Sequence, residues 1–227
     1  MENFLRRLKF YGVGFGFGMI FLFFFFQNRG CSWLPGNRVK NSILDRVLVV
    51  SDVTASIMEE RGLGTDDIVA VLNDGDVDFD ASDKEGDSKV YIVERDGVNY
   101  AFTLPYESFI SEVFIDAEAN NLAPSTEGYG DIIRFPADDN IVFPDTLDHM
   151  KCQQDSLDLE DPKEILRLLK ENGKIDFAKS NLSERPKPMH YLVFTRDGEE
   201  IGAKVIWYKT KLKILVFEGE NVPDCME

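Results

Sequence analysis

The sequence predicts an α+β fold: an N-terminal transmembrane helix followed by two repeats of a helix-helix-antiparallel-sheet unit. Three observations predict it. One uncharged apolar run opens the chain, a set of sequence blocks recurs later in the same order, and each set switches from helical spacing to strand alternation.

The run Phe10–Phe26 reads FYGVGFGFGMIFLFFFF, seventeen residues without a charge. As a helix it spans about 26 Å, slightly short of a ~30 Å hydrocarbon core. Leu8 and the stem of Lys9 extend it, and Trp33 suits the far interface. Arg6, Arg7 and Lys9 precede the run, which places residues 1–9 in the cytoplasm and the C-terminal domains outside. The expected setting is the bacterial inner membrane, single-pass, with lipid contacted through residues 10–29. Two other readings remain open. One is a cleaved signal peptide, with Gly30 and Ser32 before the cut; the other is a lipid anchor on Cys31. Gly12/Gly16 and Gly14/Gly18 have the small-xxx-small spacing of a helix pair, hence a homodimer, and equally suit a lipid-facing helix without a partner.

Residues 30–45 read as a stalk, 46–118 as the first repeat, 119–139 as a linker, 140–220 as the second repeat and 221–227 as a tail. TDDIVAVLNDGDVDF (65–79) matches PKEILRLLKENGKIDF (162–177), and KVYIVERDGVNYAF (89–102) matches HYLVFTRDGEEIGA (190–203). SEVFIDAE (111–118) matches KILVFEGE (213–220), and VLVVSD (47–52) matches NIVFPD (140–145). Ser51/Asp52 and Asp145 are suited to cap a first short helix. Ile68, Val71 and Leu72, like Ile165, Leu168 and Leu169, form one face of a second. That helix starts at Thr65 or at Asp161-Pro162, and Gly75 or Gly173 stops it as a left-handed cap would. Asp96-Gly97 and Asp197-Gly198 each predict a type I′ hairpin. Phe79 and Phe177 are expected at matching buried positions, and the linker holds one short strand near Tyr129–Phe135.

The chain has 25 basic and 41 acidic residues, a net charge of −16. Without Glu2, Arg6, Arg7, Lys9 and Arg29, residues 30–227 carry 21 basic and 40 acidic side chains, a net of −19. Such a field repels phosphate backbones, so no nucleic acid partner is expected. Cys31, Cys152 and Cys225 have no metal-site spacing; outside the cytoplasm Cys152 and Cys225 are free to pair.

Residues 54–75, TASIMEERGLGTDDIVAVLNDG, resemble the opening of a small bacterial domain-of-unknown-function family. Its members read H-A-x-x-R-M-x-x-R-G-I, then a helix ending in glycine, and some relatives resemble RelE-like toxin ribonucleases. The layout also resembles bacterial single-pass membrane proteins carrying tandem copies after a W-L-P-x-x-R-V segment, here Trp33 to Val39. Thr54 stands where the family opens with His, and Ile57 where it has its first Arg, while Arg61-Gly62-Leu63 is kept. A ribonuclease of that type needs a base and several cations, and neither repeat presents that set.

Asp74, Asp76, Asp78 and Asp80 alternate and so share one side of an extended strand, a Ca²⁺ arrangement in principle. The second copy has Asn172, Lys174, Asp176 and Ala178 instead, which favours a solvated face. His149 and His190 are the only imidazoles, with no serine or cysteine at nucleophile-like spacing. Lys204, Lys209, Lys211 and Lys213 with Trp207 and Tyr208 suit a partner's acidic surface or a lysine-defended sheet edge. No catalytic, cofactor-binding or metal residue is assigned and no cofactor is expected. The expected function is a non-enzymatic binding or scaffolding protein of the bacterial cell envelope, with an unknown protein partner. The alternative is a divergent RelE-like ribonuclease or another hydrolase with an unrecognised site.

Overall fold

The computed structural model describes residues 2–28, 34–135, 141–142, 148–208 and 211–225. Arg29, Gly30, Cys31, Ser32, Trp33, Asp145 and Lys209 lie outside the described residues, as do parts of the predicted stalk, linker and tail. The chain divides into two units, Met1–Arg38 and Val39–Glu227.

The first unit holds helix α1 (Glu2–Asn28). Phe10, Tyr11, Phe15, Phe17 and Phe21 on it are exposed, and a Cβ added at Gly12, Gly14, Gly16 or Gly18 would meet open space. Among the described residues no helix is long and apolar enough to cross a membrane. This overturns the single-pass transmembrane helix and the inner-membrane location with a cytoplasmic N-terminus.

The predicted stalk contains helix α2 (Pro35–Leu44), whose Ile43 is wholly buried. In the second unit strands dominate, and that corrects the expected pair of helix-helix-sheet repeats. The first half runs β1 (Val47–Ser51), α3 (Asp52–Arg61), α4 (Thr65–Asp74), β2 (Asp76–Asp83), β3 (Ser88–Arg95), β4 (Val98–Pro105) and β5 (Ile110–Ile115). After β6 (Tyr129–Arg134), the second half runs β7 (Ile141–Val142), α5 (Asp148–Leu157), α6 (Pro162–Asn172), β8 (Lys174–Asn181), β9 (Met189–Arg196), β10 (Glu199–Tyr208) and β11 (Lys211–Glu218). Each half therefore opens with a strand. Val47, Leu48, Val49 and Val50 are all buried to 2% exposure or less, the continuous apolar run of a strand covered on both faces.

Among the described residues eleven strands join one sheet in the order β2-β3-β4-β5-β1-β6-β8-β9-β10-β11-β7. It is mixed rather than antiparallel, because β1 lies parallel to β5 and β7 parallel to β11. The predicted linker supplies the joint: β6 pairs antiparallel with β1 on one side and with β8 on the other. Alternate residues of β1 enter different cores. Leu48 and Val50 pack with Ile68, Leu72 and Phe102 of the first half, while Val47 and Val49 pack with Ile165, Leu169 and Ile175 of the second.

Local signals act through several causes. Asp96 and Gly97, and Asp197 and Gly198, all have positive φ, as a type I′ turn requires. Gly75 and Gly173 end α4 and α6 without entering the left-handed region, at φ −72° and −70°. Close approach demands glycine there: a Cβ would lie 2.6 Å from the Val71 carbonyl oxygen and 2.3 Å from that of Leu169. Cys152 and Cys225 form a disulfide closing 73 residues, worth about 4 kcal/mol by loop entropy.

Phe79 and Phe177 differ in burial. Phe177 is 8% exposed and its ring lies over Gly130, where a Cβ would come within 2.6 Å. Phe79 is half-buried, edge-on to Tyr91 at 6.5 Å. Strand order is the reason: β2 is the sheet edge, whereas β8 is flanked by β6 and β9. In chemical denaturation Phe177→Ala is expected to cost about 3–5 kcal/mol and Phe79→Ala about 1–2 kcal/mol. Equal losses at the two sites would contradict this account.

Candidate functional sites

The fold brings together a set of polar groups that lie far apart in the sequence. Thr103 comes from β4, Ser108 from the turn after it, Glu112 from β5 and His190 from β9. All four are 2% exposed or less. The Ser108 hydroxyl accepts the Ile110 backbone N–H at 3.2 Å and stands 3.1 Å from Nε2 of His190. Burial lowers the His190 pKa to about 4, so the ring is neutral near pH 7, and its tautomer sets which partner donates in the Ser108 contact. Glu112 is held by one residue twice: its carboxylate accepts the Ser125 backbone N–H at 2.8 Å and the Ser125 hydroxyl at 2.6 Å. Burial raises the Glu112 pKa, and the Ser125 bonds offset this in part. Ile110, Ile175, Phe177 and Leu182 complete the walls of a cavity of about 20 Å³, room for a single water. A substrate has no space there.

The second site is open. A groove of about 490 Å³ lies beside the β10–β11 hairpin, lined by Glu199 and Glu200 of β10, Glu218 of β11, and Glu220, Asn221 and Val222 of the tail. That volume is in the range of ligand pockets. Leu157 closes one end, and Lys179 and Tyr191 also line it. The Tyr191 ring lies across Gly202, where a Cβ would fall 2.1 Å from the phenol oxygen. Burial, the charge of Glu218 and a hydrogen bond to it push the Tyr191 pKa up to about 12. The Lys179 ammonium rests 4.5 Å above the same ring and 3.7 Å from Asp176. Glu218 pairs with Lys204 at 2.5 Å, and Glu199 accepts the Asn221 amide at 2.8 Å.

The sequence-derived candidates are dispersed. Asp78 is turned onto its own chain, accepting the N–H groups of Asp80 and Ala81 at 2.9 Å each. The register with β3 also shifts between Asp78 and Asp83, which breaks the expected four-carboxylate face. Among the described residues no group of His, Cys, Asp and Glu is placed to hold a metal. His149 is half-buried on α5, away from the cluster at His190. Trp207 is buried, stacked on Phe135 at 5.6 Å, so it offers nothing to a partner. The lysine-bearing strand β11 is covered by β7 at Leu212 and Lys213. Thr54 and Ile57, at the family's His and Arg positions, are respectively buried and packed against the first core. Comparison with known proteins finds no matching family model, no matching curated protein and no matching solved structure.

Sequence reading missed the Ser108–His190 contact because 82 residues separate the pair and no motif joins them. One signal was present. The block alignment sets Glu112 against Ile214, a carboxylate where the other copy has a core residue 1% exposed.

The burial of His190 predicts a pH dependence. The unfolded chain takes up that proton near pH 6.5 and the folded chain only near 4. Between these values the unfolded state binds more protons, so acid removes stability, by about 3 kcal/mol in all once below pH 4. Glu112, with its folded pKa raised, acts oppositely and loses stability as pH rises. In urea titrations His190→Gln is expected to be less stable than the parent chain at pH 7. The gap should close as pH falls from 6.5 to 4. A gap that stays constant would contradict a neutral buried imidazole.

Proposed function

We propose that the chain is a non-enzymatic binding module that holds a cationic segment of a partner protein in the glutamate-lined groove. The carrying observation is Lys179. Its ammonium already sits on the Tyr191 ring in the wall of the groove that these carboxylates line, so the chain itself supplies a cation there. An aromatic face and surrounding carboxylates together favour ammonium and guanidinium groups. The net charge of −16 adds long-range attraction for a basic partner and discourages an anionic one. The groove has room for a ligand, whereas Ser108 and His190 are each 2% exposed or less beside a cavity of about 20 Å³.

A fluorescein-labelled hexalysine peptide, titrated by anisotropy against the full oxidised chain, tests the reading. Saturable binding that weakens as salt is raised is expected. The Glu199→Gln/Glu200→Gln/Glu220→Gln variant should bind about tenfold or more weakly, since exposed ion pairs contribute about 0.5–1 kcal/mol each. Equal binding of hexaglutamate, or no loss in the triple variant, would reject the groove.

A second reading rests on the 3.1 Å contact between Ser108 and His190: a serine hydrolase whose cavity opens to admit substrate. A fluorophosphonate probe separates the two. Stoichiometric labelling of Ser108, abolished in His190→Gln, would favour the hydrolase; an unlabelled chain favours the binding module.

A further inference from the structure

We propose that the Cys152–Cys225 disulfide is a redox latch on this groove: a dithiol reductant opens it, frees the tail 219–225 and lowers affinity for the cationic ligand. The inference rests on the groove reading above and adds its regulation. The tail is one wall of the groove, contributing Gly219, Glu220, Asn221 and Val222. Cys225 lies just beyond these residues and ties them to Cys152 in the middle of α5. The same helix ends at Leu157, which also lines the groove. Among the described residues the disulfide is therefore the covalent cross-link, beyond the main chain itself, between the two walls.

The link is accessible. Cys152 is exposed and Cys225 only half-buried, so an attacking thiolate has a path to Sγ of Cys152. That attack breaks the S–S bond, leaves a mixed disulfide on Cys152 and releases the Cys225 thiolate, which takes up a proton. The second thiol of the reductant then resolves the mixed disulfide. The protein gains two electrons and two protons, and the dithiol leaves as its own disulfide.

After reduction the tail still keeps contacts of its own, and Asp224 is among the residues that remain engaged. Asn221 donates to Glu199 at 2.8 Å, the Gln153 amide reaches the Pro223 carbonyl at 3.3 Å, and Val222 packs on the core while half-buried. Chain ends tied by contacts of this kind fray. Gln153 differs, because its amide also exchanges bonds of 3.0 Å with both backbone groups of Phe217. Those bonds hold α5 to β11 whether or not the disulfide exists. Reduction therefore releases the wall without releasing the helix.

The test uses the full chain, oxidised and then reduced with dithiothreitol, with hexalysine anisotropy and hydrogen exchange read on the same samples. Reduction is expected to weaken hexalysine binding about tenfold, as an ordered wall is lost. It should also remove exchange protection at 219–225 while β9 and β10 stay protected. Cys152→Ser/Cys225→Ser should match the reduced protein and no longer respond to the reductant; retained protection of β9 and β10 shows that this variant is folded. Equal affinity in both redox states, or unchanged protection of 219–225, would overturn the latch. Absence of binding by the oxidised chain would overturn the groove itself, a result distinct from a failed latch.

Discussion

Strand β1 is covered on both faces, and most of the molecule follows from that. Five residues long, it sends Leu48 and Val50 into one core and Val47 and Val49 into the other. It also bonds to β5 and β6 on its two edges. A strand with both faces and both edges occupied cannot slip by one residue, because a slip would exchange its sides between two differently shaped cores. β6 extends the same constraint, carrying the register of β1 into β8. The Lys174–Asp131 ion pair at 2.7 Å and the Ile132 N–H bond to Gly173 lie along that seam. The turn that holds Ser108 and the β9 strand that holds His190 face each other because this joint is fixed.

Short-range signals were legible in the sequence, since caps, glycines and Asp-Gly turns act over a few residues, whereas the fold class they were expected to build was not. Their causes were less legible. Gly75 and Gly173 carry the signature of a left-handed cap but exist because a backbone carbonyl lies against them. The strands β1 and β7 were hidden for another reason. A short apolar run such as VLVVS has no period of its own, and only tertiary pairing decides what it becomes. The unequal burial of Phe79 and Phe177 lay beyond any local reading: the two residues sit in matching sequence contexts, and only the position of their strands in the sheet separates them.

The candidate sites were legible to a smaller degree. Both draw in part on residues that differ between the matching blocks, although Glu218 and Glu220 face the carboxylates Asp116 and Glu118. Glu112 faces Ile214 in the alignment, and His190 faces Lys89. The apolar partners preserve the scaffold, while the substitutions place polar groups at the centre of the sheet and carboxylates around one hairpin. A search for recurring chemistry therefore finds little, because what recurs is the packing. The sealed cluster illustrates the cost of such placement. Glu112 is accommodated only because Ser125 meets both of its oxygens, and His190 only because it stays neutral.

Electrostatics connects the groove to the rest of the chain. Four glutamates around one hairpin repel one another, and a monomer has limited means to relieve that. Lys204 neutralises Glu218, and the Asn221 amide approaches Glu199. Lys179 reaches the groove wall, held by the Tyr191 ring and by Asp176. These are neighbours supplied within the chain, and Lys179 remains 56% exposed, so it can be displaced. A ligand that brought its own cation would relieve the same repulsion while leaving Lys179 to water. On the proposed reading, the electrostatic cost of gathering these carboxylates on a net-acidic chain would be recovered on binding. The tail that completes the groove carries Glu220 and the bond from Asn221, so the repulsion and the ordering of that tail are coupled in one place.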